Sequence, residues 1–316
     1  MENRALLIQK TIKAEKLAKG SRLRRFFNAP LRYGPGLFFS KWVYKFTRRA
    51  WRIRTSTFFG EKITCPLPAG LDIYLLGLKS HDSELRLARF LIRYLREDAV
   101  FFDVGAHLGF FSLLAARLVG SGGTVYGFEA SSEMAGYYRD NIKHISHIRP
   151  NHLAVSNTNG FIRFFEFPVL YSEYNSVNQS QYTSASWFRT MKPKEAEVAC
   201  TTLDTFSQKE QMYPDMIKID VEGAEQLVME GSIQLLARCK PVVIMEFIPP
   251  ASGSWQDCSH GKAFLILFNA GYELYLITNK GGLQKTKPDD YLLSGFDSDN
   301  LVCIHPDNFP AACIAD

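Results

Sequence analysis

The chain has 316 residues, 46% of them hydrophobic and 22% charged, an ordinary globular composition with material for one large core. Its six cysteines, at 65, 200, 239, 258, 303 and 313, include no C-x-x-C pair, so neither a zinc site nor a disulfide framework is indicated, and a reducing, cytoplasmic setting fits. No signal-peptide pattern is present and no apolar run approaches the roughly 18 residues needed to cross a bilayer, so neither secretion nor membrane spanning is expected.

The net charge of +5 is unevenly spread: residues 1–60 hold 15 Lys and Arg against 2 Asp and Glu, a net +13, which leaves −8 for the rest. Within this arm, "RLRRFFNAPLRYGPGLFFSKWVYKFTRRAWRIR" alternates cationic and aromatic residues. One reading is a solvated helical arm packing its aromatics on the core or on a second subunit. The other is a surface that lies on an anionic membrane, with no nucleic-acid partner expected.

Residues 61–80 follow, where "EKITCPLPAGLDIYLLG" reads as a small hairpin, two alternating runs joined at Pro-Ala-Gly. The main domain, 81–316, begins with "SHDSELRLARFLIRYL", whose apolar residues fall at helical spacing with Asp82 or Ser83 as cap. Strand and helix patterns then alternate. Ala99 to Val104 is a strand, Phe110 to Val119 a helix, "TVYGFEA" a strand, Ser132 to Lys143 a helix, and "NHLAVS", Asn151 to Ser156, the third strand, followed by the run "FIRFFEF". Further on come a strand at 216–220, a helix at 224–237, strand "PVVIMEF" at 241–247, a helix at 260–270, a strand at 272–278 and a last strand "NLVCIH". Near-continuous apolar strands alternating with helices predict a parallel sheet covered on both faces. The Tyr/Ser/Asn-rich stretch from Pro168 to Lys194 breaks the rhythm and reads as an insertion of the lid or binding-loop kind, with Tyr171, Tyr174 and Asn175 placed to meet an acceptor.

Chemistry gathers at the strand ends. The first strand runs into "FFDVGAHLGFF", with Asp103, Gly105 and Gly109 in a D-x-G-x-x-x-G pattern that lets a ligand approach the backbone. The third glycine of a dinucleotide fingerprint is missing. Glu129 ends the second strand, where a carboxylate accepts hydrogen bonds from a ribose diol, so an adenosine-type ligand without a pyrophosphate is implied. In "DMIKIDVEGAEQLV" an apolar strand stops at Asp220, with Glu222 and Glu225 around Gly223. The helix dipole accounts for Glu225. Asp220 needs a partner, and Lys218, on the same face of the strand, can pair with it, as can Glu246 reach the same end of the sheet.

Taken in order, "FFDVGAHLGFFSLLAA", "VYGFEA", "LAVSNTNG", "TTLD" and "IKIDVEGAE" resemble the FkbM family of S-adenosylmethionine-dependent methyltransferases, over about residues 81 to 250. The resemblance implies a Rossmann-like class I methyltransferase fold, α/β, with a seven-stranded, mostly parallel sheet in the order 3-2-1-4-5-7-6, strand 7 antiparallel, and helices on both faces. It further implies S-adenosylmethionine as cofactor, lined by Asp103, Gly105 and Gly109, with His107 in the same loop, Glu129 on the ribose hydroxyls, and Ala154 and Val155 near the adenine.

A hydroxyl acceptor must lose its proton as it attacks, which asks for a base within hydrogen-bond reach. Asp220 stands first, followed by Glu222, Glu246 and His107, and no metal ligand is assigned. The working acceptor is a sugar or glycan hydroxyl or another natural product. Two other classes fit parts of the pattern: a nicotinamide-dependent oxidoreductase and a non-catalytic nucleotide-binding scaffold of the same fold.

Overall fold

The structure, a computed structural model, describes residues 4–47, 49–177, 188, 193–250, 254–289 and 298–308. The arm is helical: α1 (Arg4–Ala18), α2 (Arg22–Asn28) and α3 (Pro30–Phe38) lead through a π turn (Phe39–Val43) into α4 (Tyr44–Thr47). Next, β1 (Trp51–Ser56) pairs antiparallel with β2 (Lys62–Leu67), Trp51 opposite Leu67. The hairpin therefore begins ten residues before 61, and the arm ends where β1 starts. The second run of the expected hairpin is instead a helix, α5 (Leu71–Leu76), closed by Gly77 at φ 72°. Ile73 and Tyr74 are both buried, and consecutive inward residues suit a helix, whereas a strand would send one of them outward.

The helix α6 (Asp82–Tyr94) starts at His81, which makes no side-chain cap bond; Ser83, expected as a cap, sits inside the first turn with Oγ 2.7 Å from His81 Nδ1. The arm's first helix docks on α6. Arg4 donates to the carbonyls of Ile92 and Leu95, each at 2.7 Å, covering oxygens that the helix end leaves without partners. Buried Arg89 binds the Glu15 carboxylate at 2.5 Å, Thr11 Oγ1 at 2.9 Å and the Asn279 carbonyl at 2.6 Å.

The main sheet then forms in the expected rhythm: β3 (Val100–Val104), α7 (Phe110–Val119), β4 (Thr124–Phe128), α8 (Ser132–Ile142) and β5 (Ile148–Asn151). Beyond it, β6 (Ala154–Val155), β7 (Gly160–Glu166) and β8 (Lys194–Thr201) make a separate three-stranded sheet in the order β6-β8-β7. The third strand of the main sheet is thus 148–151, starting three residues before the expected Asn151, and the apolar Ala154 and Val155 belong to the small sheet. Its sequence, IRPN, is edge-like: Arg149 and Pro150 are exposed, and an outer strand tolerates a proline that cannot donate.

Continuing, α9 (Leu203–Glu210), β9 (Met216–Ile219), α10 (Glu225–Glu230), α11 (Ile233–Cys239), β10 (Val242–Phe247), α12 (Ser259–Asn269), β11 (Glu273–Ile277), β12 (Leu283–Lys285) and β13 (Asp299–Ile304) follow among the described residues. The expected single helix at 224–237 is split, because a Cβ at Gly231 would lie 2.1 Å from the Ser156 carbonyl oxygen and the chain turns there against the small sheet. The sheet order is β12-β11-β13-β10-β9-β3-β4-β5. From β5 through β10 the strands are parallel, and β13 is antiparallel to both neighbours. That is the order implied by the resemblance, with β12 added as an eighth strand beside β11. One apolar core lies between the sheet and α6–α8, the other between the sheet and α9–α12.

Inside the insertion, Val169–Tyr174 forms a 3-10 turn, and Ser176 bridges to Phe165 on β7. Residues 178–187 and 189–192, and Cys313, lie outside the described residues. Among the described residues, no helix is long and apolar enough to cross a membrane.

Arg89→Ala removes the side chain that joins α1, α6 and the β11–β12 turn. It is expected to lower unfolding free energy by about 1.5–3 kcal/mol, the range for hydrogen bonds to charged groups, seen as a reduced urea midpoint at unchanged slope.

Candidate functional site

The C-terminal ends of β3, β4, β9 and β10 open onto one cavity of about 450 Å³, the place where an open α/β sheet gathers its loops. In the loop between β3 and α7, Gly105, His107 and Gly109 take φ of 78°, 51° and 81°. A Cβ at Gly105 would stand 1.8 Å from the carbonyl oxygen of Asp220, so the loops leaving β3 and β9 meet backbone to backbone and only glycine fits. The amides of Gly105 and Ala106 both donate to the Phe128 carbonyl, at 3.0 and 2.9 Å, which braces this loop on the end of β4.

Glu129 follows β4 and is buried. Its two oxygens accept from the backbone amides of His107 at 2.7 Å and Ser131 at 2.8 Å. Each oxygen thus has one backbone donor while the residue lines the cavity. Burial pushes the carboxyl up to about 7 against those two donors. His107 turns its Nε2 to Ser172 Oγ at 3.0 Å, and burial, with Lys79 adding to it, pulls the imidazole down to about 3 and keeps it neutral.

Lys218 is buried beneath the cavity floor. Its Nζ lies 3.1 Å from Asp220 Oδ2 and 3.5 Å from Asp103 Oδ1 and donates to the Gly105 carbonyl at 3.4 Å. Burial alone would raise the Asp220 carboxyl, but Lys218 and Lys79 outweigh it and hold it below the usual carboxylate range. Glu246, at the end of β10, responds in the opposite sense: burial, reinforced by the charges of Asp220 and Glu225, pushes it up to about 8. Oxygens of Asp220, Glu222 and Glu246 lie within 4.8 Å of one another, close enough to ligate one cation. Glu222 reaches this position from a left-handed turn, φ 54°, followed by Gly223 at 93°. Glu225 holds that turn: its Oε1 accepts from the amides of Val221 and Gly223 at 3.3 and 3.2 Å, and its Oε2 faces His260 Nε2 at 3.3 Å. Burial works against a charged His260, yet Glu225 outweighs it and the imidazole rises to about 9. The dipole argument for Glu225 is thereby replaced by a specific one.

A family model, the Methyltransferase FkbM domain, matches residues 103–274, more than half of the chain. The chain belongs to the FkbM methyltransferase family. It is accordingly an S-adenosylmethionine-dependent methyltransferase, and the nicotinamide and scaffold readings are set aside. Solved structures match over part of the chain. The FkbM methyltransferase from Methylobacillus flagellatus is 15% identical, over 75% of this chain and 53% of that one, with a TM-score of 0.40. The precorrin-6y C5,15-methyltransferase from Geobacter metallireducens is 16% identical over 70% of this chain and 84% of its own (TM-score 0.36). The Bacillus cereus O-methyltransferase, solved with SAH, is 15% identical over 69% and 79% (TM-score 0.37). No curated protein matches this chain.

Of the residues that the sequence nominated in this FkbM methyltransferase, Gly105, His107, Glu129, Ala154, Val155, Asp220, Glu222 and Glu246 all line the one cavity. Asp103 and Gly109 do not; each stands behind the wall. Asp103 is fully buried, accepting from Ser112 Oγ at 2.6 Å and facing Lys218, so its charge is spent inward. A Cβ at Gly109 would stand 2.3 Å from the Tyr138 ring, so this glycine admits α8 to the start of α7. Tyr174 and Asn175 reach the cavity, although Asn175 Oδ1 is engaged by the Phe167 amide at 2.7 Å; Tyr171 does not line it and stacks with Tyr174.

The sequence reading missed the wall supplied from elsewhere: Lys79 and His81 from the α5–α6 connection, Glu84 from the first turn of α6, and Glu173 from the 3-10 turn. Lys79 pairs with Glu84 at 2.5 Å. Burial would lower this ammonium, but Glu84, Glu173 and Asp220 raise it well above its ordinary value. Lys79 lies outside the matched domain and no motif marks it; its only sequence signal is a cation five residues before a glutamate at a helix start.

Because the Glu129 carboxyl is raised in the fold, from an ordinary 4.5 to about 7, the folded state holds its proton more tightly than the unfolded chain. Its stabilising contribution is complete below the ordinary value and is lost as pH rises toward about 7. Thermal melts of the cofactor-free protein should therefore fall across that window, and Glu129→Gln should flatten the fall.

Proposed function

We propose that the enzyme transfers a methyl group to a hydroxyl oxygen of a sugar or glycan acceptor. The observation that supports this most is the carboxylate group at the strand ends, in which Asp220 is held ionised while Glu246, close beside it, is raised to about 8. Two neighbouring carboxylates pushed apart in pKa divide into a fixed charge and a proton acceptor matched to neutral pH. Glu246 takes the hydroxyl proton in this reading, ahead of Asp220, and Asp220 with Glu222 orients the acceptor oxygen. His107, pulled down to about 3, is a weak base and acts as a neutral hydrogen-bonding wall.

The chain's residues fit S-adenosylmethionine on three observations: the side-chain-free turn at Gly105, the cavity-lining Glu129 already locked in orientation by two amides, and apolar Ala154 and Val155 beside it. S-adenosylmethionine, when bound, supplies an electrophilic methyl on a sulfonium. Glu129 holds the ribose hydroxyls with its remaining lone pairs, the Gly105 loop carries the methionine end, and Ala154 and Val155 border the adenine. The acceptor side is polar and aromatic, with His81, Ser83, Glu173 and Tyr174 offering donors, acceptors and a stacking face suited to a carbohydrate. The arm's net +13 bears on where the acceptor is met and favours an anionic lipid surface that presents it.

Labelled cofactor incubated with a panel of glycans, lipids and small hydroxyl compounds tests the acceptor class; transfer only to nitrogen or carbon acceptors overturns it. Glu129→Ala is expected to weaken cofactor binding by about 1.5–3 kcal/mol by calorimetry. For the base, single-turnover rate should climb with pH toward the Glu246 value of about 8, and Glu246→Gln should lower it by about 10²–10⁴ and abolish that climb, with cofactor affinity unchanged.

A further inference from the structure

The arm settles its two sequence readings on different faces of the same helices. Along α3, the π turn and α4, Tyr33 and Tyr44 are buried, and Gly36 lies against the Tyr74 ring of α5, where a Cβ would be 3.1 Å away. That side is docked. On the other side Leu31, Pro35, Phe38, Trp42 and Phe46 follow one another at spacings of four and three residues, which places them along one stripe. They are open to solvent, with Leu31 88%, Phe38 and Trp42 61% and Phe46 78% exposed. Phe26 and Phe27 on α2 add to the exposed aromatic surface. Ten of the twelve exposed large apolar side chains among the described residues lie between Leu6 and Trp51.

A helix apolar on both sides belongs between two partners, and the catalytic domain supplies only one. The chemistry of the second is given by what borders the stripe. Arg32, Lys41, Lys45 and Arg49 are exposed, and no carboxylate belongs to residues 16–60, so the surface asks for a partner that is apolar within and negative at its boundary. A buried protein partner would need an acidic rim of matching shape, whereas an anionic bilayer provides both properties without shape.

We propose that this stripe inserts into the interface of an anionic membrane, seating the enzyme on lipid through α3, the π turn and α4. The proposal deepens the lipid-surface reading above. It gains a second meaning from the inner side of the arm, where Arg25, Ala29 and Tyr33 wall a further cavity of about 550 Å³. His81, Glu84 and Glu173 line both that cavity and the catalytic one, so the arm stands next to the methyl-transfer site rather than remote from it.

Full-length protein is sedimented with vesicles of phosphatidylcholine carrying about one-third phosphatidylglycerol, and with phosphatidylcholine alone. Binding is expected to the anionic vesicles only, declining as salt rises, because boundary cations are screened while the apolar contact is not. The Phe38→Ser, Trp42→Ser, Phe46→Ser variant alters exposed residues only and should keep calorimetric S-adenosylmethionine binding while losing at least about tenfold in vesicle partition. Partition equal to that of the unaltered chain overturns the proposal. So does absence of vesicle binding at low salt, or a dimer in analytical ultracentrifugation that the triple substitution disperses while vesicle binding is absent, which would assign the stripe to a second copy. Vesicle binding is read without acceptor, so its failure leaves the methyl-transfer reading standing, and a failed acceptor screen leaves this one standing.

Discussion

A buried ammonium between two carboxylates governs the site. Lys218 sits on β9 with almost no exposure, between Asp103 on β3 and Asp220 just past its own strand. Asp103, fully buried, needs such a partner, since an unpaired buried charge costs several kcal/mol, and Asp220, open to the cavity, is held ionised by the same ammonium. The lysine therefore does two things at once. It fastens the two central strands at their catalytic ends, and it fixes which member of the acidic group is permanently charged. Burial and that fixed charge together raise Glu246, so the division between a standing anion and a titrating one follows from a residue that does not itself line the cavity. Lys79, paired with Glu84, adds a second cation that helps to hold Asp220 ionised.

Much of this architecture is readable from sequence because the central strands are apolar on both faces. Val100–Val104, Thr124–Phe128 and Met216–Ile219 announce themselves as short, mostly apolar runs followed by Gly or an acid, and Val242–Phe247 carries its acid one residue before its end. Edge and satellite strands do not. Ile148–Asn151 contains Arg and Pro, so the nearby Ala154 and Val155 drew the assignment, although they pair with Cys200 and Thr201 in another sheet. The order of strands came through resemblance, since periodicity says nothing about neighbours. The cavity's far wall escaped for a related reason: Lys79, His81 and Glu173 arrive from segments about 90 residues apart with no shared motif, and only the fold brings them together.

The arm shows the same boundary between pattern and placement. Aromatic and basic residues alternate so densely from Arg22 to Arg54 that no single face can be assigned from spacing. Contact decides it. Arg4 on the end of α6, Arg89 on Glu15, and Gly36 on Tyr74 fix the inward side, and the outward side is what remains. These contacts bear out the packing reading for the docked side, and the membrane reading concerns only the side left exposed.

The contact between Gly105 and the Asp220 carbonyl bears on what the cavity can admit as well as on its chemistry. With no room for even one methyl group, the loops that follow β3 and β9 share a single backbone junction, and neither can be remodelled without the other. Changes in what the cavity admits are thereby steered to the periphery, to the α5–α6 connection and the 169–177 segment, where side chains rather than backbone make the wall.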